Sequence, residues 1–207
     1  MKRILIAVFL VLAAIPVSAQ YTVYSNGPIN GTTDAWTINS GFVVSDTFTV
    51  GSGGAQVNGL TFGAWAFPGD VLESAGVQIT SSEFGGTSFY SGTVNFTQTA
   101  CSSNQYGFNV CTESSDSSFG TVNLAAGTYW LNLDNAVVNT GDPIYWDENS
   151  GPSMASENSV GTIPSEAFTV LGSTTTTTIC CFPEPDIILL LSSGLLGAMC
   201  VARRKLF

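Results

Sequence analysis

Between Gly41 and Val50 the chain alternates: Phe42, Val44, Phe48 and Val50 are apolar, Asp46 interrupts them, and Ser45, Thr47 and Thr49 occupy the intervening positions. A period of two sets one face of an extended segment against a core and the other against water. The same rhythm recurs at Leu60, Phe62, Ala64 and Ala66, at Val94 with Phe96, at Val122 with Leu124, at Tyr129 with Leu131 and Leu133, and at Phe168 with Val170. Clusters of Gly, Asn, Pro and Ser at 51–54, 68–70, 85–86, 141–143 and 149–153 separate these runs. No window carries the period of an amphipathic helix. Many short strands between turns predict an all-β domain, an antiparallel β-sandwich or jelly roll.

The two ends read differently. Lys2 and Arg3 precede an apolar run from Ile4 to Ile15, and Val17-Ser18-Ala19 supplies the small residues that precede a signal-peptidase cut. Residues 1–19 are therefore expected to be a leader, with export and cleavage after Ala19; Gln20, where a lipoprotein would have Cys, argues against lipid anchoring. The body spans 20–172, ample for one domain with its own core. Ser173 and the Thr174–Thr178 run open a polar linker over 173–182. Pro183-Glu184-Pro185 then stops any preceding structure, and Asp186 can cap a helix. Ile187 to Ala202 is apolar or small and spans roughly 24 Å as a helix, against a hydrocarbon core of about 30 Å. With Arg203, Arg204 and Lys205 held on the cytoplasmic side, 183–207 predicts a marginal C-terminal transmembrane helix that leaves the body outside.

Charge changes the picture most. All five basic residues lie at 2, 3, 203, 204 and 205, so Gln20 to Cys181 contains no Lys, Arg or His. Such a body has nothing with which to neutralise phosphates, which excludes nucleic acid as a partner. It cannot assemble a Ser-His or Ser-Lys nucleophile, nor the cationic clamps of phosphoryl transfer. Its mature surface is expected to be acidic and rich in hydroxyls. Cys101 and Cys111 bracket a turn-rich connection and are expected to form a disulfide in an oxidising compartment.

Three kinds of chemistry survive. Asp142, Asp147, Glu148 and Asn149 offer hard oxygens for calcium, against the alternative of a solvated turn; otherwise no cofactor is expected. Trp65 and Trp130 fall on the strand faces opposite Phe62 and Leu131, where an exposed indole beside Asn132 and Asp134 would stack on a sugar ring; loops that cover them are the alternative. A glycosidase built on paired carboxylates is the third, although adjacent Asp147 and Glu148 point to opposite faces if extended.

Pro183-Glu184-Pro185, an apolar span containing Ser193-Gly194-Leu195-Leu196-Gly197, and terminal Arg203-Arg204-Lys205 together resemble the PEP-CTERM sorting signal of Gram-negative bacteria. The resemblance implies processing by an exosortase, a membrane-embedded cysteine protease, after transient anchoring in the inner membrane. It further implies an association with exopolysaccharide and biofilm. Gly127-Thr128-Tyr129-Trp130-Leu131-Asn132-Leu133 and the 141–151 segment GDPIYWDENSG are similar, more loosely, to secreted all-β domains found with this signal, and imply no catalytic activity. The expectation is an exported, non-enzymatic cell-surface or extracellular matrix component. A carbohydrate-binding module and a carboxylate-dependent glycoside hydrolase are the alternatives.

Overall fold

The computed structural model describes residues 20–173; the expected leader at 1–19, the expected linker beyond Ser173 and the expected sorting segment at 183–207 lie outside the described residues. Thirteen strands follow one another, with no α-helix among the described residues: β1 (Gln20–Ser25), β2 (Ala35–Thr37), β3 (Val43–Val50), β4 (Ala55–Ala66), β5 (Leu72–Ser82), β6 (Gly85–Ser103), β7 (Asn109–Ser115), β8 (Val122–Leu124), β9 (Gly127–Val138), β10 (Tyr145–Asp147), β11 (Ala155–Glu157), β12 (Gly161–Ile163) and β13 (Phe168–Ser173). All-β architecture is thus as the alternation predicts.

The strands pair antiparallel in the order β1-β13-β4-β7-β6-β5-β9-β3-β11-β12, with β8 and β10 also on β4 and β2 on β10, as one sheet curled into a half-barrel. The curl is built into β6. Its first part, Gly85–Asn95, pairs with β5, and its second, Phe96–Ser103, pairs with β7. One strand of 19 residues therefore belongs to two limbs of the sheet. Where it meets β7 the register slips between Thr99 and Ser102, and Ala100 sits at φ 48°, a bulge that sharpens the bend. The adjacent Cys101 is bonded to Cys111 of β7, the pairing its spacing predicts.

Burial follows the two-residue period. Val44, Phe48 and Val50, then Leu60, Phe62, Ala64 and Ala66, then Leu131 and Leu133, all face inward and are buried. Each large one stabilises the fold by roughly 1.5–3 kcal/mol. Phe62 meets Phe96 and Trp146 edge-on, and Trp146 meets Phe168 in the same way. Phe42 departs from the expectation: it precedes β3 in a turn closed by its own N–H on the Asn39 carbonyl, and is 39% exposed.

The ends of the curled sheet approach each other at a seam. Tyr24 of β1 lies against Phe48 of β3, with ring centroids 6.3 Å apart, and against Phe168 of β13 at 5.7 Å. At the outer end of the β1/β13 pair, Gln20 faces Ser173.

Candidate functional site

The seam holds a buried polar cluster. Asn26 follows β1 directly, and its N–H bonds the Phe168 carbonyl, which fixes the side chain between the limbs. The Asn26 amide nitrogen meets Asp46 Oδ2 at 3.2 Å, Ser153 Oγ and Ser165 Oγ at 2.5 Å each, and the Glu166 carbonyl at 2.6 Å. Its Oδ1 accepts from the Tyr24 hydroxyl at 2.9 Å. Asp46 Oδ2 also accepts from Ser153 Oγ at 2.9 Å and from the Glu166 N–H at 2.7 Å, while Oδ1 accepts from Thr47 N–H at 2.6 Å. Asn149 completes the cluster: its amide donates to the Asn26 carbonyl and its Oδ1 accepts from Ser165. Gly151 is obligatory here, because a Cβ at that position would overlap the Asn26 carbonyl.

Burial sets the protonation of these acids. Desolvation pushes Asp46 up to about 6 against the opposing pull of the Glu166, Ser153 and Thr47 donors. Glu166 is raised well above the usual carboxylate range, first by burial and then by the negative charge of Asp46, Glu148 and Asp147. Neither Glu166 carboxyl oxygen meets a hydrogen-bond partner among the described residues, which fits a neutral acid.

The acidic stretch expected to hold calcium is divided rather than convergent. Asp147 accepts from Gly31 N–H at 3.0 Å, from Asn30 N–H at 2.8 Å and from the Trp65 indole at 2.6 Å. Glu148 accepts from the Trp36 indole at 3.0 Å, Asn149 serves the seam, and Asp142 is exposed on a loop. Protein donors thus occupy the carboxylates of Asp147 and Glu148 from different sides, and no three acidic or cysteine side chains are grouped for a metal among the described residues.

Trp65 and Trp130 also part company. The alternation places both correctly, opposite Phe62 and Leu131, but Trp65 is only 4% exposed. Tyr106 stacks over it at 5.6 Å and Phe108 lies at 5.8 Å, so the loop closed by Cys101 and Cys111 covers the face that the pattern left open. Trp130 is half-buried, and its expected polar neighbour Asn132 is buried, accepting from Phe84 N–H and donating to Thr80 Oγ1. What reaches solvent instead is Tyr106 itself, 54% exposed, along with Phe67, which packs on Phe108.

Next to Tyr106 a cleft of about 420 Å³ opens between Asn30-Gly31-Thr32 and Ala100 to Gln105, floored by Val110 and Thr112. Asn104 shapes its wall, accepting from the Tyr106 and Phe108 N–H groups and donating to the Gly31 carbonyl. Gly31, at φ 64°, is required for the turn, since a Cβ there would strike Val110. No carboxylate lines this cleft.

Pattern reading missed both places. Asp46 carried a signal, as an acid at an inward position of an apolar face. Tyr106 and Phe108 carried a weaker one, as two aromatics in an otherwise polar loop between two cysteines. Asn26, Ser153 and Ser165 carried none.

Fold and site together define a class: an all-β antiparallel domain, clipped by one disulfide and devoid of cationic side chains between Gln20 and Ser173. No protein-family model matches the chain, and no curated protein matches it.

Proposed function

We propose that the chain is an exported, non-enzymatic extracellular component, with the half-barrel as a β-sandwich of jelly-roll type. Its tail resembles a PEP-CTERM signal, which makes an exosortase-type enzyme its processing partner. In this reading the 1–19 leader is removed on export, the 183–207 helix anchors the chain in the inner membrane, and tail removal releases the body to the cell surface or matrix. The observation that carries it is the charge distribution. The body has no base of the Lys, Arg or His type, and Asp46, Asp70, Glu113, Asp147, Glu148, Glu157 and Glu166 are buried. That leaves a surface of hydroxyl and amide groups on which Asp34, Glu73, Glu83, Asp116, Asp134 and Asp142 are uncompensated, acidic but less so than composition implies. Such a surface is soluble and compatible with a hydrated polymer. The test is to determine both ends of the extracellular protein by mass spectrometry. A chain beginning at Gln20 and lacking Arg203-Arg204-Lys205 supports this reading; an extracellular chain still ending at Phe207 overturns it.

A second reading, a carbohydrate-binding module, is favoured by one observation: exposed Tyr106 donates its hydroxyl to the carbonyl of Thr32, which lines an uncharged cleft walled by Asn, Ser, Thr and Gln side chains. An aromatic face with amide and hydroxyl groups beside it suits a neutral sugar. Titration of the secreted protein with exopolysaccharide of the producing cell tests it, with Tyr106→Ala as the loss-of-binding variant. Binding that survives this change, or fails in the parent, removes the cleft as the site.

A further inference from the structure

We propose that the domain closes its own seam covalently, by attack of Ser153 Oγ on the side-chain amide carbon of Asn26 to form an ester with loss of ammonia. The geometry begins with an oversubscribed nitrogen. An amide NH₂ has two hydrogens to donate, yet Asn26 Nδ2 faces four acceptor oxygens within 3.2 Å. Hydrogen bonding alone does not account for that crowding. Ser153 Oγ lies 2.5 Å from Nδ2, and the C–N bond of an amide is about 1.33 Å, so Asn26 Cγ is no more than about 3.8 Å from the hydroxyl oxygen. Reacting atoms in a productive arrangement sit about 3–3.5 Å apart, a range that this upper bound exceeds by only a few tenths of an ångström.

Each group that the reaction needs is in place. Ser153 donates its proton to Asp46 Oδ2 at 2.9 Å, and that same carboxylate oxygen lies 3.2 Å from Asn26 Nδ2. It takes the proton as the Oγ–Cγ bond forms, then delivers it to the nitrogen as the Cγ–N bond breaks. Ammonia leaves, the carbonyl re-forms, and an ester joins the two side chains. No oxidant or external reagent enters the balance. The Tyr24 hydroxyl, 2.9 Å from Asn26 Oδ1, donates to the oxygen on which negative charge develops. Glu166, buried and unpartnered, adds no competing nucleophile while it is neutral. Between Gln20 and Ser173 there is no His or Lys to act as the base, and burial gives Asp46 the near-neutral affinity for protons that a base requires.

The choice of Ser153 over Ser165 follows from topology as well as from Asp46. Ser165 precedes β13, which already pairs with β1, whereas Ser153 precedes β11, which pairs with β3 on the opposite limb. A bond from Asn26 to Ser153 therefore ties one limb of the half-barrel to the other, where backbone pairing does not.

The test is peptide mass spectrometry on the purified full chain, digested with pepsin because the body offers no Lys or Arg for cleavage. The expected result is a linked pair of peptides containing Asn26 and Ser153, lighter than their sum by one ammonia, which separates on treatment with hydroxylamine. Asp46→Asn is expected to give the two peptides unlinked and at full mass while the Cys101–Cys111 bond still forms as a marker of folding. Unlinked peptides from the parent chain overturn the proposal, as does a linkage that persists in Asp46→Asn or that runs to Ser165.

Discussion

Trp65 donates its indole N–H to Asp147 Oδ1 at 2.6 Å while Tyr106 lies stacked across it, so a residue expected at the surface fastens β4 to β10 from beneath an aromatic lid. A hydrogen bond to a buried carboxylate contributes about 1.5–3 kcal/mol. Trp65→Phe keeps the ring stack but leaves Asp147 one donor short. It is expected to lower stability by about that amount in chemical denaturation, whereas Tyr106→Phe, which keeps the lid, is expected to cost under about 1 kcal/mol.

Stability should fall as pH rises. Glu113 faces the interior between Phe62 and Gln98, neither of its oxygens has a partner among the described residues, and burial pushes it up to about 8. Unfolded, the same carboxyl titrates near 4.5. Between those values the folded chain holds a proton that the unfolded chain has released, so each added pH unit disfavours folding by up to about 1.4 kcal/mol. Asp46 adds a slope of the same sign between 3.8 and about 6. Thermal melts are expected to give a higher Tm at pH 5 than at pH 8, and Glu113→Gln is expected to reduce the slope above pH 6 without abolishing it, because Glu166 is also raised well above the carboxylate range and acts with the same sign. A Tm that climbs over this range would refute the assignment.

Two glycines should respond oppositely to the same methyl group. Gly151→Ala drives a Cβ into the Asn26 carbonyl and is expected to destabilise by about 1–3 kcal/mol. Gly53, in the turn between β3 and β4, has open space where a Cβ would go and a φ outside the left-handed region. Gly53→Ala is expected to be neutral or to stabilise by up to about 1 kcal/mol through the unfolded chain. Equilibrium unfolding of the pair decides it.

Opening the disulfide should loosen the cleft before it unfolds the domain. Cys101 and Cys111 close a loop ten residues apart in sequence, and losing such a bond costs about 2–3 kcal/mol. Cys101→Ser with Cys111→Ser is expected to lower Tm by several degrees and to speed hydrogen exchange at Tyr106 and Phe108, while β9 amides stay protected.

How much of this was legible along the chain depended on range. Leu131, Leu133, Phe62 and Phe168 follow from their immediate neighbours, because a strand's two faces are written in consecutive residues. The corner in β6 was not, since Thr87 to Ser91 and Thr97 to Ser103 are polar-rich on both faces and mark no change of limb. Trp65 was placed on its proper face with exposure and loop cover both open, and local pattern could not decide between them, because the cover comes from Tyr106, some forty residues on. Asp142, Asp147, Glu148 and Asn149 look like one ligand set in sequence, yet Asp147 ends β10 and Glu148 follows it in extended backbone, so the two adjacent carboxylates meet different partners. The seam is the extreme case: Asn26 meets Ser153 across a sequence separation of 127, and no local pattern encodes that meeting.

Because Gln20 lies beside Ser173 in the β1/β13 pair, the chain enters and leaves the domain at one point. In the proposed mature protein, which begins at Gln20, the domain is a pendant held at that one edge, and a pull through Ser173 is met first by the β1/β13 pair. For the same reason, it could be spliced into a surface loop of another protein without stretching its host.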